Sequence, residues 1–584
     1  MGSTNLAFVH ACSLEELKAK GPIVARGADR PVVLFLEGEQ VHALDNRCPH
    51  LGFPLHRGTL DDGMVTCHWH HARFDACSGC TFDLWADDVP AFDVEVRDGQ
   101  VYITTRPRSG GTPDRDAKRL EDGMRHNIGL IIAKAILALQ ASGVETTAIV
   151  RRAALYGAEQ RDGWGAGMTV LTAMANLLPH LKEETAYLAL YHGVRQVAGD
   201  CAGQTPRHLR RPLESSRHRP ETLARWLHYW ALVRHRDGAE RTVLTAMARG
   251  DTRDDVAGML LAAAGDRHYA DTGHLLDFTN KACELLKLIG AEHATAILPT
   301  VVGQLVGARG GEEQNAWRHP IDLVPLVAER IQPLQAHLQR PSNPAWSDNA
   351  ALADCLLGED PHAALDAMVD AAKQGAALAE LTRTATYAAA LRIARFGTVN
   401  EMSDWNAALH SFTFCNALDA AACRQPDPEL AASLMHGAMS IYLNRFLNVP
   451  PAKLPNLKHL DTLPAKAETL LTAFLAALDT RDNVDVAASL VARYLALEHA
   501  PRDLIDTLTF AVVREDAAFH TFQALEAAVR QFFRWSPRPE AALVLLAAAR
   551  YIAAHSPTPR ARHQIARTAW RLHRGETIHD NDGD

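Results

Sequence analysis

The chain has 584 residues, of which 47% are hydrophobic and 22% charged, an ordinary composition for a globular protein of two to four domains. Its formal net charge of -9 gives no reason to expect binding to nucleic acid or to an anionic membrane surface. No stretch approaches the roughly 20 uninterrupted apolar residues of a membrane helix, the first residues lack a signal-peptide apolar region, and ten scattered cysteines are typical of a reducing cytoplasm.

Short runs of β-branched and aromatic residues, separated by turn sequences, dominate the first hundred residues. Such runs predict β-strands, and the sequences Glu37-Gly38, Asp62-Gly63 and Asp98-Gly99 between them are typical of hairpin turns. The predicted strands lie at residues 32–36, 41–44, 65–66 and 101–103. We therefore expect a small antiparallel β domain with its loops gathered at one end.

Two short boxes in this region each offer one cysteine and one histidine. The first is Cys48-x-His50-x-Gly52, and the second is Cys67-x2-His70, with sixteen residues between His50 and Cys67. Two thiolates on one iron and two imidazoles on the other are the ligands of a Rieske [2Fe–2S] centre. Cys2His2 also suits tetrahedral zinc, but zinc-finger spacing usually pairs ligands of one type, whereas each box here mixes them. The pattern therefore favours a Rieske centre over zinc.

Residues 5–105 resemble the Rieske family, and the resemblance rests on the two boxes. It implies a [2Fe–2S] cluster held by four ligands, Cys48, His50, Cys67 and His70. Respiratory-complex Rieske proteins have an additional cysteine in each box, and a disulfide joins these two residues. Phe53 and Trp69 stand at the matching positions here, so the resemblance is to Rieske ferredoxins and Rieske oxygenases, toward the lower end of the potential range.

Other cysteine and histidine side chains flank the boxes. Cys77 and Cys80 form a C-x2-C pair, which is compatible with redox or zinc chemistry, but the chain has no second C-x2-C. We expect both to be packed thiols. His56, His68 and His71 lie outside the ligand pattern, and we expect surface or supporting positions for them.

The sequence changes character at residues 106–114, where proline, glycine and charged residues crowd together. After about residue 118 the alternation ends and alanine- and leucine-rich patterns predict helices, for example at residues 128–141, 185–198, 277–289 and 541–554. We predict a multidomain fold, with a small all-β Rieske domain followed by a large all-α helical domain. The predicted bounds are 1–105 for the Rieske domain, 106–117 for a linker and 118–584 for the helical domain, in one piece or as two subdomains.

A second iron site in the helical part is suggested by histidine and aspartate spacing. Rieske oxygenases usually hold mononuclear iron through D-x2-H-x4-H, which this chain lacks. His268-x2-Asp271-x2-His274 is a different candidate, because two imidazoles and one carboxylate form a facial triad with open positions for dioxygen and substrate. The alternative is that Asp271 or Thr272 caps the helix that begins near His274.

Three further histidines are candidate ligands. His410 and His436 lie in helices that are apolar on nearly all sides, so their imidazoles should be buried and need partners. If a tight turn joins these two helices, the rings are offset by roughly 9 Å along the axis and do not pair directly. His192 is a further candidate, although it lies off the best apolar face of its helix. For each of them, a hydrogen-bonded core histidine is the alternative.

Lys281 lies seven residues after His274, on nearly the same face of the predicted helix. A buried lysine at this place could carry a carboxylated side chain and bind metal. The neighbours Asp277 and Glu284 favour the alternative, an exposed ladder of ion pairs.

The fragments His126-Asn127 and Leu434-Met435-His436 resemble questin-oxidase-like helical oxygenases, which open anthraquinone rings with iron in an all-α fold. With the Rieske boxes, this predicts a cytoplasmic iron-dependent oxidoreductase, whose cluster feeds electrons to a mononuclear non-haem Fe(II). That iron would use dioxygen to oxidise a small organic substrate, as a dioxygenase does. The resemblance to questin-oxidase-like oxygenases implies that the substrate is aromatic. No G-x-G-x-x-G or P-loop is found, so a separate reductase or ferredoxin is the expected donor. The alternative is a non-catalytic Rieske-type electron carrier fused to an α-helical docking scaffold, and the sequence leaves open whether copies form a homo-oligomer.

Overall fold

Two compact units make up the computed structural model, which describes residues 7–25, 30–108, 112–214 and 217–576. The first unit comprises residues 1–145 together with 564–584, and the second comprises residues 146–563. The strands lie in the first unit, whereas the described residues of the second unit form helices and loops. The predicted fold class, a small β domain followed by a large helical region, is therefore confirmed.

The described part of the first unit contains three antiparallel sheets, ordered β1-β10-β9, β2-β3-β4-β8 and β5-β6-β7. The strands are β1 Phe8–Ser13, β2 Ile23–Ala25, β3 Val32–Glu37, β4 Gln40–Asp45, β5 Thr59–Asp61, β6 Met64–Thr66, β7 Arg73–Asp75, β8 Ala91–Phe92, β9 Val94–Arg97 and β10 Gln100–Thr104. The hairpin sequences Asp62-Gly63 and Asp98-Gly99 have positive φ at both residues, as a two-residue type I′ turn requires. These turns join β5 to β6 and β9 to β10, as the sequence predicts.

The central strand β3 divides the interior of the β domain into two cores. Val33 and Phe35 point into the core that contains Cys48 and Cys67. Val32 and Leu34 point to the other side, against residues such as Phe92 and Ile103. Successive side chains of a strand face opposite ways, so one fully buried strand can serve both cores. The two boxes are thereby anchored to the sheet through their buried cysteines.

Helices account for most of the chain. Their bounds are α1 Leu14–Lys20, α2 Pro113–Arg125, α3 Gly129–Ala141, α4 Thr146–Gln160, α5 Ala166–Leu177, α6 Glu183–Cys201, α7 Pro220–Leu232, α8 Arg236–Arg249, α9 Arg253–Gly265, α10 His274–Ile289, α11 Ala294–Ile297, α12 Val302–Gly307, α13 Asn315–Arg318, α14 Leu323–Leu338, α15 Asn349–Leu356, α16 Pro361–Lys373, α17 Leu378–Ala394, α18 Met402–Arg424, α19 Ala431–Leu443, α20 Ala467–Ala477, α21 Val484–Ala496, α22 Pro501–Val513, α23 Phe519–Trp535, α24 Glu540–Ala554 and α25 Ala561–His573. Helices α3, α6, α10 and α24 cover the four examples expected from the sequence. Among the described residues, none of the helices combines the length and apolar character needed to cross a bilayer.

Helices α2 and α3 belong to the same compact unit as the β domain. The first begins inside the segment predicted as a linker, because Thr112 caps it by accepting the backbone N–H of Arg115 and Pro113 occupies its first position. The loss of strand alternation after residue 105 thus marks a change of secondary structure, while the compact unit continues to residue 145. The predicted bounds 1–105, 106–117 and 118–584 remain predictions about domains.

Four helices of the second unit form a closed ring. Helix α5 packs against α10 and α23, and α18 packs against the same two helices. Three helices of this ring, α10, α18 and α23, carry His274, His410 and His520.

Candidate metal centres

The two boxes form facing loops at one end of the β domain. The first lies between β4 and the short 3-10 turn at Leu55–Arg57, and the second lies between β6 and β7. Cys48 and Cys67 are 2% and 1% exposed, and their thiols hydrogen-bond to each other. The rings of His50 and His70 face each other edge to face, with centroids 4.8 Å apart. The structure therefore brings together the four side chains that the sequence assigns to the cluster.

Backbone hydrogen bonds hold both loops in shape. In the first loop, Gly52 donates its N–H to the carbonyl of Cys48 at 2.7 Å, and Gly52 has φ +83°. In the second loop, His71 donates to the carbonyl of Cys67 at 2.9 Å and also has a positive φ. Each loop is thus a tight turn that starts at its cysteine and projects its histidine.

The electrostatic surroundings prepare the ligands for metal. The hydrogen bond with Cys48 lowers the pKa of the Cys67 thiol to about 6, although burial opposes this, and the backbone N–H groups of Trp69 and His70 add to the effect. Burial lowers the pKa of His50 to about 4. The Nδ1 atom of His50 is buried and has no hydrogen-bond partner among the described residues. A thiolate and a neutral imidazole with a free nitrogen fit the [2Fe–2S] ligand set.

Aromatic rings border the loops. Phe53 of the first loop and Trp69 of the second lie with their ring centroids 5.9 Å apart. Trp85 contacts the His50 ring at 4.7 Å, whereas Trp69 is 42% exposed. The two loops therefore contact each other through aromatic rings, and the second loop reaches the surface at Trp69.

The nearby pair Cys77 and Cys80 differs from the prediction. Both side chains are exposed and both thiols are free. The expectation of packed thiols is wrong, because the turn after β7 places both side chains outside the core while the intervening Gly79 is buried. Gly79 has φ +76°, and a Cβ there would lie 2.0 Å from the carbonyl oxygen of Val89. The glycine is therefore required where the turn approaches that backbone.

A second group of ligand-type side chains lies in the helical unit. His274, His410 and His520 offer nitrogen atoms that all lie within 4.8 Å of one another. The Nε2 atoms of His410 and His520 are 2.9 Å apart. Two nitrogens in adjacent positions around a metal ion, each about 2.1 Å from it, are separated by about 3.0 Å. The spacing of His410 and His520 therefore suits binding of one metal ion, and His274 lies beside them.

The trio is accessible and uncharged. All three imidazoles are half-buried. Burial, with help from the neighbouring histidines, lowers the pKa of His410 to about 3 and that of His520 to about 4. Burial also lowers the pKa of His274. The imidazoles are neutral at pH 7, so their nitrogen lone pairs are available to a metal ion.

The sequence missed His520, which is the second residue of α23. The residues His520, Gln523 and Glu526 recur at helical spacing on the buried face of this helix. A histidine, an amide and a carboxylate on one otherwise apolar face are a signal of an internal polar site, because buried polar groups need partners. This spacing is the local sequence signal from which His520 could be recognised.

The segment before α10 is strained. Tyr269, Asp271 and Thr272 have φ of 44°, 49° and 51°, and Gly273 follows at +87°. Left-handed conformations of bulky residues are unfavourable by about 1–3 kcal/mol each and concentrate at functional sites. The strain brings His274 to the first position of α10, where it joins the trio.

The predicted His268–Asp271–His274 triad is divided between two places. His268 lies against His436, with ring centroids 4.7 Å apart, and its Nδ1 atom is 3.5 Å from a carboxylate oxygen of Glu312. Asp271 is exposed. His274 and His410 belong to the trio, so the candidate ligands separate into a trio and a His268–His436 pair.

His192 belongs to neither group. It is buried in α6 against Tyr191 and Phe522. Burial lowers its pKa to about 3. The structure thus gives His192 a neutral core position, and its assignment as an iron ligand remains a prediction.

Lys281 is buried, with 1% of its surface exposed, so the expectation of an exposed ion-pair ladder is wrong. Its ammonium contacts Glu284 at 2.8 Å and Glu526 of α23 at 2.5 Å. Asn176 of α5 donates to both carboxylates. Although burial opposes it, the two carboxylates raise the pKa of Lys281. Carboxylation requires the free amine, so this environment favours the ammonium form.

Comparison with known proteins gives matches to the β domain. A family model described as Rieske [2Fe-2S] domain matches residues 7–92. Ferredoxin CarAc of Metapseudomonas resinovorans is 30% identical over 107 residues, which are 17% of this chain and 94% of the ferredoxin. These matched residues include both boxes described above.

Larger proteins share the same region. Apoptosis-inducing factor 3 of Homo sapiens is 37% identical over 73 residues, which are 12% of this chain and 12% of that protein. The vanillate O-demethylase oxygenase subunit of Pseudomonas sp. (strain ATCC 19151) is 39% identical over 64 residues, which are 11% of this chain and 19% of that protein. The chain therefore spans most of the ferredoxin but less than one fifth of each of these two relatives.

Proposed function

Because the chain belongs to the Rieske [2Fe–2S] domain family through residues 7–92, we propose that it is an iron-dependent oxidoreductase of the oxygenase type. The Rieske domain has an electron-transfer role, and its electrons would reach a mononuclear non-haem iron in the helical unit. One observation carries this proposal. Three neutral imidazoles, those of His274 in α10, His410 in α18 and His520 in α23, offer nitrogen atoms within 4.8 Å of one another.

The residues of both centres suit their proposed tasks. When bound, the cluster supplies single electrons and the mononuclear iron supplies dioxygen activation. Cys48 and Cys67 would hold one iron of the cluster as thiolates, and His50 and His70 would hold the other as neutral imidazoles. The histidine trio would bind iron through three protein ligands, which leaves positions for dioxygen and substrate. Zinc would suit imidazoles equally, but zinc has no redox chemistry and could not use the electrons.

The neighbourhood of the trio supports an apolar substrate. The ring of Phe278 stacks on His274 with centroids 5.1 Å apart, and Phe519 lies 5.5 Å from His274. These rings can exclude water and orient an apolar molecule beside the metal. An aromatic organic substrate, implied by the resemblance to questin-oxidase-like oxygenases, is the class that we propose.

We infer that electrons come from a separate reductase or ferredoxin. The chain has no dinucleotide-binding fingerprint, and its matched relatives include a ferredoxin and an oxygenase subunit. Location in the cytoplasm and association into a homo-oligomer remain predictions.

The proposal is tested by metal analysis of the full-length protein after anaerobic loading with iron and sulfide. We expect three irons for every two acid-labile sulfides. The double variant His274→Ala/His520→Ala should hold two irons and lose dioxygen-dependent turnover, with the reduced Rieske signal in electron paramagnetic resonance unchanged. The matched control His268→Ala/His436→Ala removes the other histidine pair and should keep three irons.

Each other outcome has a definite meaning. Two irons in the unmodified protein would overturn the oxygenase proposal. Loss of the third iron in the control variant alone would place the site at His268 and His436. A third iron that survives both double variants would show that the ligands lie elsewhere.

A second candidate function is that of an electron carrier whose helical unit is a docking scaffold. The match to nearly the full length of ferredoxin CarAc favours this alternative. It predicts two irons for every two sulfides and no oxygen consumption, so the same metal analysis distinguishes the two functions.

A further inference from the structure

Lys134 of α3 lies against the first ligand loop of the Rieske domain. Its ammonium donates to the backbone carbonyls of Pro49 and His50, the second at 3.0 Å. It also lies 3.4 Å from a carboxylate oxygen of Asp87, and its side chain is 15% exposed. The family match ends at residue 92, so Lys134 belongs to a helix that this chain adds to the domain.

Lys134 shares its nearest carboxylate with a second cation. The carboxylate of Asp87 accepts a hydrogen bond from the guanidinium of Arg119 at 2.9 Å. The same carboxylate forms an ion pair with the ammonium of Lys134, so two cations share it. These three side chains together carry a net charge of +1. Neither cation is neutralised separately, and the ammonium is directed at the segment that contains Cys48 and His50.

We propose that Lys134 is a tuning residue that raises the reduction potential of the cluster bound by Cys48, His50, Cys67 and His70. This inference rests on the Rieske domain alone and is independent of iron in the helical unit. Reduction adds one negative charge to the cluster, and a half-buried cation close to the ligand loop stabilises that charge more than it would in water. Hydrogen bonds and charges around the ligands are established determinants of iron–sulfur potentials.

A matched control lies nearby. Lys118 and Lys134 line the same cavity of about 690 Å³, together with Cys48, Pro49 and Asp87. Lys118 is exposed, however, and its charge is screened by solvent. Removing each lysine separately distinguishes an effect of contact with the ligand loop from a general effect of charge in the cavity.

The experiment is a redox titration of the full-length, cluster-loaded protein, followed by electron paramagnetic resonance of the reduced state. We expect Lys134→Met to disfavour the reduced cluster by roughly tenfold, which corresponds to a potential lower by about 59 mV for a one-electron couple. Lys134→Arg keeps the charge and should restore most of the shift. Asp87→Asn removes the opposing charge and should move the potential upward. Lys118→Met should leave the potential unchanged.

The signs of these shifts decide the proposal. A purely structural role of Lys134 would lower thermal stability or cluster content in Lys134→Met without moving the potential of the clusters that remain. Equal potentials in wild type, Lys134→Met and Asp87→Asn would overturn the proposal. Shifts of the same sign in Lys134→Met and Asp87→Asn would overturn it as well. If the Lys134→Met variant fails to bind the cluster, the Asp87→Asn variant still tests the proposal through the direction of its shift in reduction potential.

Discussion

Several residues inside the helical ring carry charge or polarity away from solvent, and each is paired with a residue from a different helix. Gln523 of α23 donates to the carboxyl group of Asp277, and Lys281 lies between Glu284 and Glu526. Arg530 of α23 donates to Asn416 of α18. Removing one partner would leave the other buried and unpaired, which destabilises a protein far more than loss of a surface ion pair.

At the residue scale, Asp277 predicts a dependence of stability on pH. Burial raises its pKa from 3.8 to about 7. The folded protein therefore binds a proton that the unfolded chain has released, and stability falls by up to about 1.4 kcal/mol per pH unit between roughly pH 4 and pH 7. Asp277→Asn removes this contribution. We expect the variant to unfold at a higher urea concentration than wild type at pH 8, with a smaller difference at pH 5.

Circular dichroism at both pH values measures this effect. The buried histidines respond in the opposite direction, because their lowered pKa values destabilise the folded state as pH falls. The difference in unfolding midpoint between the variant and the wild type cancels the contribution of these histidines, because both proteins contain them. A difference in midpoint that is the same at pH 5 and pH 8 would contradict the assignment of a neutral Asp277.

At the scale of elements, the strained entry to α10 positions His274. Gly273 has φ +87°, and a Cβ there would lie 3.0 Å from the Cβ of Phe414 in α18. We expect Gly273→Ala to destabilise the helical unit by about 1 kcal/mol or more and to weaken binding of the third iron at least tenfold. Metal titration and thermal unfolding of the full-length protein measure the two effects.

Gly250→Ala is the control for this element. Gly250 ends α8 at φ +99°, but a Cβ there would contact nothing within 4 Å. The control should lower stability while leaving iron affinity unchanged. Equal loss of iron affinity in both variants would show that strain at Gly273 acts through general stability rather than through the position of His274.

At the scale of the whole molecule, the two centres lie in different compact units. Cys48 is part of the core of the β domain, whereas the histidine trio is held by helices of the second unit. We expect Cys48→Ser to abolish the reduced Rieske signal and dioxygen-dependent turnover. The third iron and the helical circular dichroism signal should persist, because the substitution leaves the helical ligands untouched. Loss of the third iron in this variant would show that the two centres assemble together.

The sequence by itself determined the fold class and pointed to the two boxes that would hold the cluster. Each box spans only a few residues, and its turn is closed by hydrogen bonds within the loop, as between Gly52 and Cys48. Strand alternation and helical periodicity are likewise local, and they predicted the β domain, its Asp-Gly turns and helices such as α6 and α24.

Only the tertiary structure decided which side chains meet across long stretches of chain. His410 joins His520, 110 residues away, and Lys281 is buried by Glu526, 245 residues away. Lys134 reaches the carbonyl of Pro49, 85 residues earlier. Local patterns report the face on which a residue lies, but the partner on that face depends on how distant helices pack. For this reason the spacing of His268, Asp271 and His274 suggested one site, whereas the strained turn between them directs His268 and His274 to different neighbours.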